Sequence, residues 1–324
     1  MINRQLPVEL CNPPIGFGCW GMSDAYGPAD DQQSLATIEA ALAAGIHHFD
    51  TADVYGNGHN ETLLGRALAG RKGVFVATKF GFVGDEHGQV SIDGRPERVK
   101  TACEDSLRRL GTEVIDLYYL HRRDERVPIE ETVGAMADLV QEGKVRYLGL
   151  SEVSAETLRR ASTVHPIAAL QSEYSLFTRT PEKSVLPVCR ELGTVLVAFS
   201  PLGRGLLTGK VKSREQLSEG DYRLGMPRFE EGNLQENLAL VKALEAMAAA
   251  RNASAAQIAL AWLMAQGGDV LPIPGMKRQA HLQDNLGALR VQLTPDDIAK
   301  LSTISDAVQG QRHNPHNLKF VEDI

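Results

Sequence analysis

Eight short apolar runs, each followed by a stretch with helical spacing, constrain this 324-residue chain more than anything else in it. The runs are IGFGCW (15–20), IHHFDTA (46–52), VFVATKF (74–80), VIDLYYLH (114–121), VRYLGLS (145–151), AALQSEY (168–174), VLVAFS (195–200) and VLPIPG (270–275). Between them the apolar residues recur every three or four positions, the period of a helix with one buried face. Leu35, Ile38 and Leu42 follow Asp30 and Asp31 as N-cap candidates and stop at Gly45. Val99, Cys103, Leu107 and Leu110 follow Pro96 and stop at Gly111, and Ile129, Val133, Met136 and Val140 stop at Gly143. Further helices are expected over 60–68, 154–164, 182–192, 233–250, 254–266 and 279–286, with Ser254 and Gln257 forming a capping box. Thr294-Pro295 opens one more. Eight strand–helix units in one chain of this length point to an α/β fold of the (β/α)8 TIM-barrel type, with extra helices and long loops at its C-terminal face. No linker or repeat divides the chain, so 1–324 is expected to be a single domain with a polar C-terminal tail over 307–324. The longest stretch with no clear element, 201–232, follows the seventh strand, where a barrel keeps its site loops.

Several functions are disfavoured. The net charge is −7 and no basic run occurs, which argues against a nucleic-acid partner. No apolar stretch reaches the roughly 18 residues of a membrane span, and the start does not read as a secretory signal. Cys11, Cys19, Cys103 and Cys189 have neither disulfide-frame nor zinc-site spacing, so no metal is expected and reduced thiols suit a cytoplasmic protein. Two phosphate-binding patterns fail on context. Gly16, Gly18 and Gly21 satisfy G-x-G-x-x-G, but Pro13-Pro14 precede them and the next helix begins only near Asp30. In GRGLLTGK (203–210), Arg204 stands where a P-loop needs its first glycine and Val211 where it needs Ser or Thr.

Barrel chemistry collects where strands end. Asp50 ends the second run, Lys79 the third and His121 the fourth, and Tyr55 lies five residues beyond Asp50. Neighbouring strands are about 4.8 Å apart, which would bring the three strand ends together. Taken singly, each has a plainer reading: a cap, a solvated lysine, a structural histidine, a packed tyrosine. Taken together they make an acid. A phenol with a pKa near 10 is a poor proton donor at neutral pH, and an adjacent ammonium stabilises its phenolate. Asp50 could keep that ammonium charged, and His121 could orient a carbonyl oxygen. Protonating an oxygen in this way needs a partner that delivers hydride to carbon. Side chains cannot supply one, so a nicotinamide cofactor is implied.

The motifs FDTADVYG, VATKFG, DLYYLHR, GLSE, LQSEYSL, FSPLGRGLLTGK and IPGMKRQAHLQDNLGAL, in this order, resemble the aldo-keto reductase superfamily over nearly the whole chain. The resemblance is to the bacterial and plant branch that includes perakine reductase. It implies a catalytic tetrad of Asp50, Tyr55, Lys79 and His121, and NADPH or NADP, rather than NAD, lying across the barrel mouth. It places Ser151 and Gln171 around the carboxamide, Phe199 against the nicotinamide, and Cys19 and Trp20 beside its ribose, with Glu152 among the cofactor-binding residues. Ser200, Pro201, Leu202, Gly203, Arg204 and Lys210 would cover the pyrophosphate. Gly275, Lys277, His281, Asp284 and Asn285 would hold the adenosine end, with Lys277 and Arg278 able to neutralise a 2′-phosphate. His281 departs from the arginine that some members carry for that phosphate. The implied substrate is a small aldehyde or ketone, with Trp20, Met22, Tyr26, Tyr55, Phe82, His121 and Arg122 as pocket candidates. Loops 22–29, 80–95, 122–127 and 201–232 and the tail would supply the walls. Two other readings share these residues. One is a cofactor-binding regulatory subunit of the potassium-channel β type, in which asparagine commonly replaces the histidine found here as His121. The other is an aldolase or lyase using Lys79 as a Schiff base. Nothing in the sequence indicates the oligomeric state.

Overall fold

The structure is a computed structural model that describes residues 12–84 and 90–322. Cys11 and the centre of the 80–95 loop, residues 85–89, lie outside them. The described strands, in chain order, are β1 (Phe17–Gly18), β2 (His48–Asp50), β3 (Phe75–Phe80), β4 (Phe82–Gly84), β5 (Val90–Ile92), β6 (Ile115–Leu120), β7 (Val145–Ser151), β8 (Ile167–Glu173), β9 (Val195–Phe199) and β10 (Val270–Pro272). Eight of them form one parallel sheet in the order β1-β2-β3-β6-β7-β8-β9-β10. The sheet returns on itself: the Gly16 and Gly18 amides donate to the carbonyls of Pro272 and Pro274, and Gly18 bridges Gly275. This is the expected (β/α)8 barrel. The antiparallel hairpin of β4 and β5 at the mouth was not foreseen.

The first and last strands are shorter than the apolar runs implied. Pro272 and Pro274 have no amide to donate, so only a ladder fragment forms on that side. Beyond Gly18 the chain turns at once into the 3-10 turn Trp20–Met22. Gly18 is also where the backbones meet most closely, since a Cβ there would lie 2.6 Å from the Ile273 carbonyl oxygen. The glycine pattern thus serves barrel closure. Helix starts follow their caps: Asp30 accepts from the Gln33 amide, and Ser254–Gln257 and Thr294–Asp297 form capping boxes.

Two apolar layers organise the interior. The larger lies between sheet and helices, and the smaller fills the barrel with Phe75, Ala77, Leu117, Tyr119, Ala169, Val195, Val197, Leu271 and Ile273. Strand side chains alternate, so every second residue of β3, β6, β8 and β9 points inward. The Tyr119 ring claims so much of this space that a Cβ on Gly149 would come within 2.4 Å of it. The same parity, continued towards the strand ends, puts Lys79, His121, Gln171 and Phe199 on the inner side, and polar groups collect at one mouth.

Candidate active site

Lys79 sits at the floor of that mouth and is fully buried. Its Nζ donates to Asp50 Oδ1 at 2.5 Å, to the Thr51 carbonyl at 2.7 Å and to the Tyr55 hydroxyl at 3.2 Å. Asp50 is held on its other oxygen by Gln171 Nε2, 2.7 Å away. Tyr55 reaches the floor because the β2 ladder runs on past Asp50: the Thr51 amide donates to Ala77 O and that of Asp53 to Lys79 O. The chain then reverses through Gly56, Asn57 and Gly58, all at positive φ (58°, 51° and 87°). Glycine and asparagine are the residues that tolerate such backbone. Asn60 fixes the turn from behind, donating to the Cys19 carbonyl at 2.9 Å and Ser23 Oγ at 2.8 Å.

Burial and charge compete at each group. For Lys79, burial acts to lower the pKa, but the Asp50 carboxylate, by charge and hydrogen bond, outweighs it and the net shift is upward. Burial raises Tyr55, and the opposing pull of Lys79 does not bring it below the ordinary tyrosine value. The direction is opposite to the sequence expectation of a lowered phenol: loss of solvation outweighs the Lys79 charge. His121 is pushed well below the usual imidazole value, first by burial and then by the Arg122 and Lys79 charges, so it is neutral at physiological pH. Its Nδ1 is buried without a partner, and its ring meets Tyr55 and Phe82 edge-on at 5.9 and 4.8 Å. A Schiff-base lysine needs a depressed amine; the upward shift of Lys79 and its three acceptors oppose that reading.

A cavity of about 670 Å³ opens above these residues. Of the residues expected in the site, all but Met22, Lys79, Glu152 and Gly203 line it. Met22 is 1% exposed and packs into the outer core, so it is not a pocket residue. Its turn aims Trp20 at the cavity and Met22 away, a choice that loop sequence does not encode. Glu152 is buried off the cavity. It accepts from the Glu173 amide and Ser172 Oγ and pairs with Arg312 at 2.6 Å, so its site is a tail anchor and not a cofactor contact. Gly203, at φ 55°, shapes the backbone of a loop whose neighbours Leu202 and Arg204 line the cavity. Lys79 lies beneath the lining, its Nζ against the Tyr55 hydroxyl.

Other expected contacts are already engaged within the protein. Arg204 pairs with Glu173 at 3.2 Å and lies over the Trp20 and Tyr222 rings. Lys277 donates to the carbonyls of Tyr26, Gly27 and Pro28 at 2.8 to 3.3 Å. Lys210 pairs with Asp284 at 3.3 Å, whereas Arg278 is exposed at the rim. The 201–232 stretch is a series of 3-10 turns carrying Tyr222 and Arg223 to the cavity wall. The tail is anchored too: Asn317 donates to the Tyr222 hydroxyl at 2.6 Å, and His313, Asn317 and Phe320 complete the wall. Within 201–232 the motif names residues only as far as Lys210; the remainder and the tail are identified as ranges, and no periodicity or motif singles out Tyr222, Arg223, His313, Asn317 or Phe320.

Beside Tyr55, the buried Asp53 lies 3.6 Å from Arg98, and burial, reinforced by Glu61, raises its pKa to about 7. A raised carboxyl contributes stability that is complete below the unfolded value, 3.8, and lost as pH rises through about 7. Asp53→Asn removes that slope. Urea titrations of both proteins should show the variant gaining, relative to wild type, on the order of 3 kcal/mol between acidic pH and pH well above 7. A pH-independent difference would show that Asp53 ionises normally.

The comparisons agree with this geometry. The sequence pattern of the Aldo/keto reductase family matches residues 14–306. The chain is 43% identical over 312 residues to the aldo-keto reductase yakc [NADP(+)] of Schizosaccharomyces pombe, covering 94% of this chain and 92% of that one. It is 45% identical over 306 residues to probable aldo-keto reductase 1 of Glycine max, covering 93% and 88%. Among solved structures, the glycerol dehydrogenase AKR11B4 from Gluconobacter oxydans superposes with a TM-score of 0.83 at 34% identity, covering 93% and 94%. An aldo-keto reductase from Klebsiella pneumoniae in complex with NADPH gives 0.72 at 30% identity, covering 93% and 94%. With barrel, strand-end cluster and full-length likeness in agreement, this chain belongs to the aldo/keto reductase family of oxidoreductases.

Proposed function

We propose that the chain is a single barrel domain that uses NADPH to reduce an aldehyde or ketone to an alcohol. The observation that carries this reading is the Lys79 ammonium shared between Asp50 at 2.5 Å and the Tyr55 hydroxyl at 3.2 Å beneath a large cavity. Tyr55 is the general acid in reduction and the base in the reverse direction. Lys79 stabilises the phenolate left behind, Asp50 keeps Lys79 charged, and the neutral His121 donates to the carbonyl oxygen and orients it.

The cavity suits an extended dinucleotide. Asn285 Nδ2 is buried at its edge without a protein partner. Ser200 and Arg204 hold positive φ (48° and 55°) in the loop above it, strain of a kind that persists at binding segments. Ser151 and Gln171 would face the carboxamide, Phe199 the nicotinamide ring, the 200–210 loop the pyrophosphate, and His281, Asp284 and Asn285 the adenosine. When bound, the nicotinamide supplies the hydride that no side chain can.

NADPH binding followed by fluorescence, then aldehyde-dependent loss of NADPH absorbance, tests the reading; absence of binding would overturn it. With Lys277 and Lys210 engaged by the protein itself, the exposed Arg278 is the cation left for a 2′-phosphate. Arg278→Ala should therefore weaken NADPH binding about five- to tenfold while changing NADH binding little. Equal weakening of both would place Arg278 elsewhere on the cofactor.

A further inference from the structure

Arg122 follows His121 directly and is 8% exposed, yet it is engaged by no carboxylate among the described residues. Its Nη1 donates to the His121 carbonyl at 2.6 Å and to Ser151 Oγ at 3.0 Å. Its guanidinium lies 5.8 Å from the Phe82 ring centre, against the same ring that His121 meets edge-on. Among the described residues Nε and Nη2 have no hydrogen-bond partner, and they are not among the unpartnered atoms that are fully buried; Arg122 lines the cavity. The other guanidiniums on the wall differ. Arg204 and Arg223 are ion-paired with Glu173 and Asp221, and Arg278 is exposed.

The charge of the buried Glu152 supports the Arg122 cation from a distance, but that carboxylate is bonded to Arg312, and a buried cation with no carboxylate in contact is costly unless a ligand supplies one. Burial already acts against the charge on Arg122, and its pKa is shifted downward. Guanidinium N–H groups form a planar fork that matches a carboxylate. The fork is bonded to the His121 backbone and shares the Phe82 ring with the His121 imidazole, which places it beside the Tyr55–His121 pair that would hold a carbonyl oxygen. The rest of the substrate end is aromatic: Trp20, Tyr26, Phe82, Tyr222 and Phe320. With a net charge of −7, the chain as a whole does not attract anions, so an anion-binding group here must be local.

We propose that Arg122 is the carboxylate-recognition residue of this site and that the preferred substrates are short oxo acids, whose carbonyl reaches Tyr55 and His121 while their carboxylate meets Arg122. The inference rests on the reductase reading for the fate of the carbonyl, but the recognition itself does not require turnover.

The test has two arms. In the first, calorimetry of the NADP-loaded protein compares benzoate with benzamide, a pair of one shape and different charge. Wild type should bind the carboxylate about tenfold more tightly or better, and Arg122→Gln should lose the preference. In the second, the kcat/KM ratio for 4-carboxybenzaldehyde over 4-methylbenzaldehyde should exceed about tenfold in wild type and fall toward one in the variant, with Arg122→Lys between them. Equal binding of benzoate and benzamide by wild type overturns the proposal whether or not the variant folds. Retention of the preference by Arg122→Gln overturns it as well. Selective benzoate binding with no reduction of any carbonyl would support the recognition site and reject the reductase reading, so the two failures are distinct.

Discussion

Tyr55→Phe should lower kcat for carbonyl reduction by about 10²–10⁴-fold, the range a positioned general acid contributes, while NADPH affinity changes little. The substitution removes one oxygen from a half-buried residue that lines the cavity and whose hydroxyl has, among the described residues, one hydrogen-bond donor, Lys79 at 3.2 Å. The ring contacts with Trp20 and His121 remain. A loss of activity with cofactor affinity kept assigns the oxygen to the chemistry; equal loss of both would make Tyr55 a structural residue. The pH profile sharpens the result. Tyr55 is shifted upward and His121 well downward, so neither titrates between about pH 6 and 8, and kcat/KM should be flat across that window. The sequence argument expected the lysine to acidify the free phenol. Burial reverses the net shift, which keeps the acid protonated until a substrate oxygen arrives. In the proposed reaction Lys79 would then favour the phenolate at the moment of proton transfer.

The parts of this site that could be read from sequence are those set by strand period. Asp50, Lys79 and His121 end strands, and parity with Phe75, Ala77, Leu117 and Tyr119 sends Lys79 and His121 to the barrel interior. Tyr55 was readable because Gly56, Asn57 and Gly58 announce a reversal that only such residues make without strain. Where period gives out, so does the reading. Trp20 and Met22 are neighbours in one 3-10 turn, and which of them faces the cavity is decided by packing against the barrel. Glu152 follows Ser151 in a motif and so looked like part of the cofactor site, but its left-handed φ of 54° turns it toward Arg312, a partner 160 residues away in the tail. Glu173 likewise collects Arg204 and Arg228 from the 201–232 stretch and lies 3.8 Å from His313. These pairings join distant segments through single charges, and no local pattern encodes them. They nevertheless explain why a polar tail and a loop without regular strands take defined places over the barrel mouth.

Lys79→Met should be the most destabilising single change at the floor of the site. Lys79 is 0% and Asp50 2% exposed, and the ammonium is the cation that Asp50 meets at 2.5 Å. Without it, a buried carboxylate keeps only Gln171 Nε2, and the Thr51 carbonyl loses its donor. Breaking a buried pair from one side costs about 3–5 kcal/mol, because the charge left behind is not solvated. The amide of Asp50→Asn carries no charge and can still meet Gln171. Lys79→Met combined with Asp50→Asn should therefore be more stable than Lys79→Met alone, by about 2 kcal/mol or more in urea unfolding, although neither protein should reduce carbonyls. Such a rescue of stability without activity separates two effects of one ammonium: offsetting the charge of Asp50, and stabilising the phenolate of Tyr55. If the double variant is no more stable than Lys79→Met, Asp50 is not held as an ion by Lys79. The route by which a buried lysine stays charged beside a tyrosine would then have to be sought in the backbone carbonyl of Thr51.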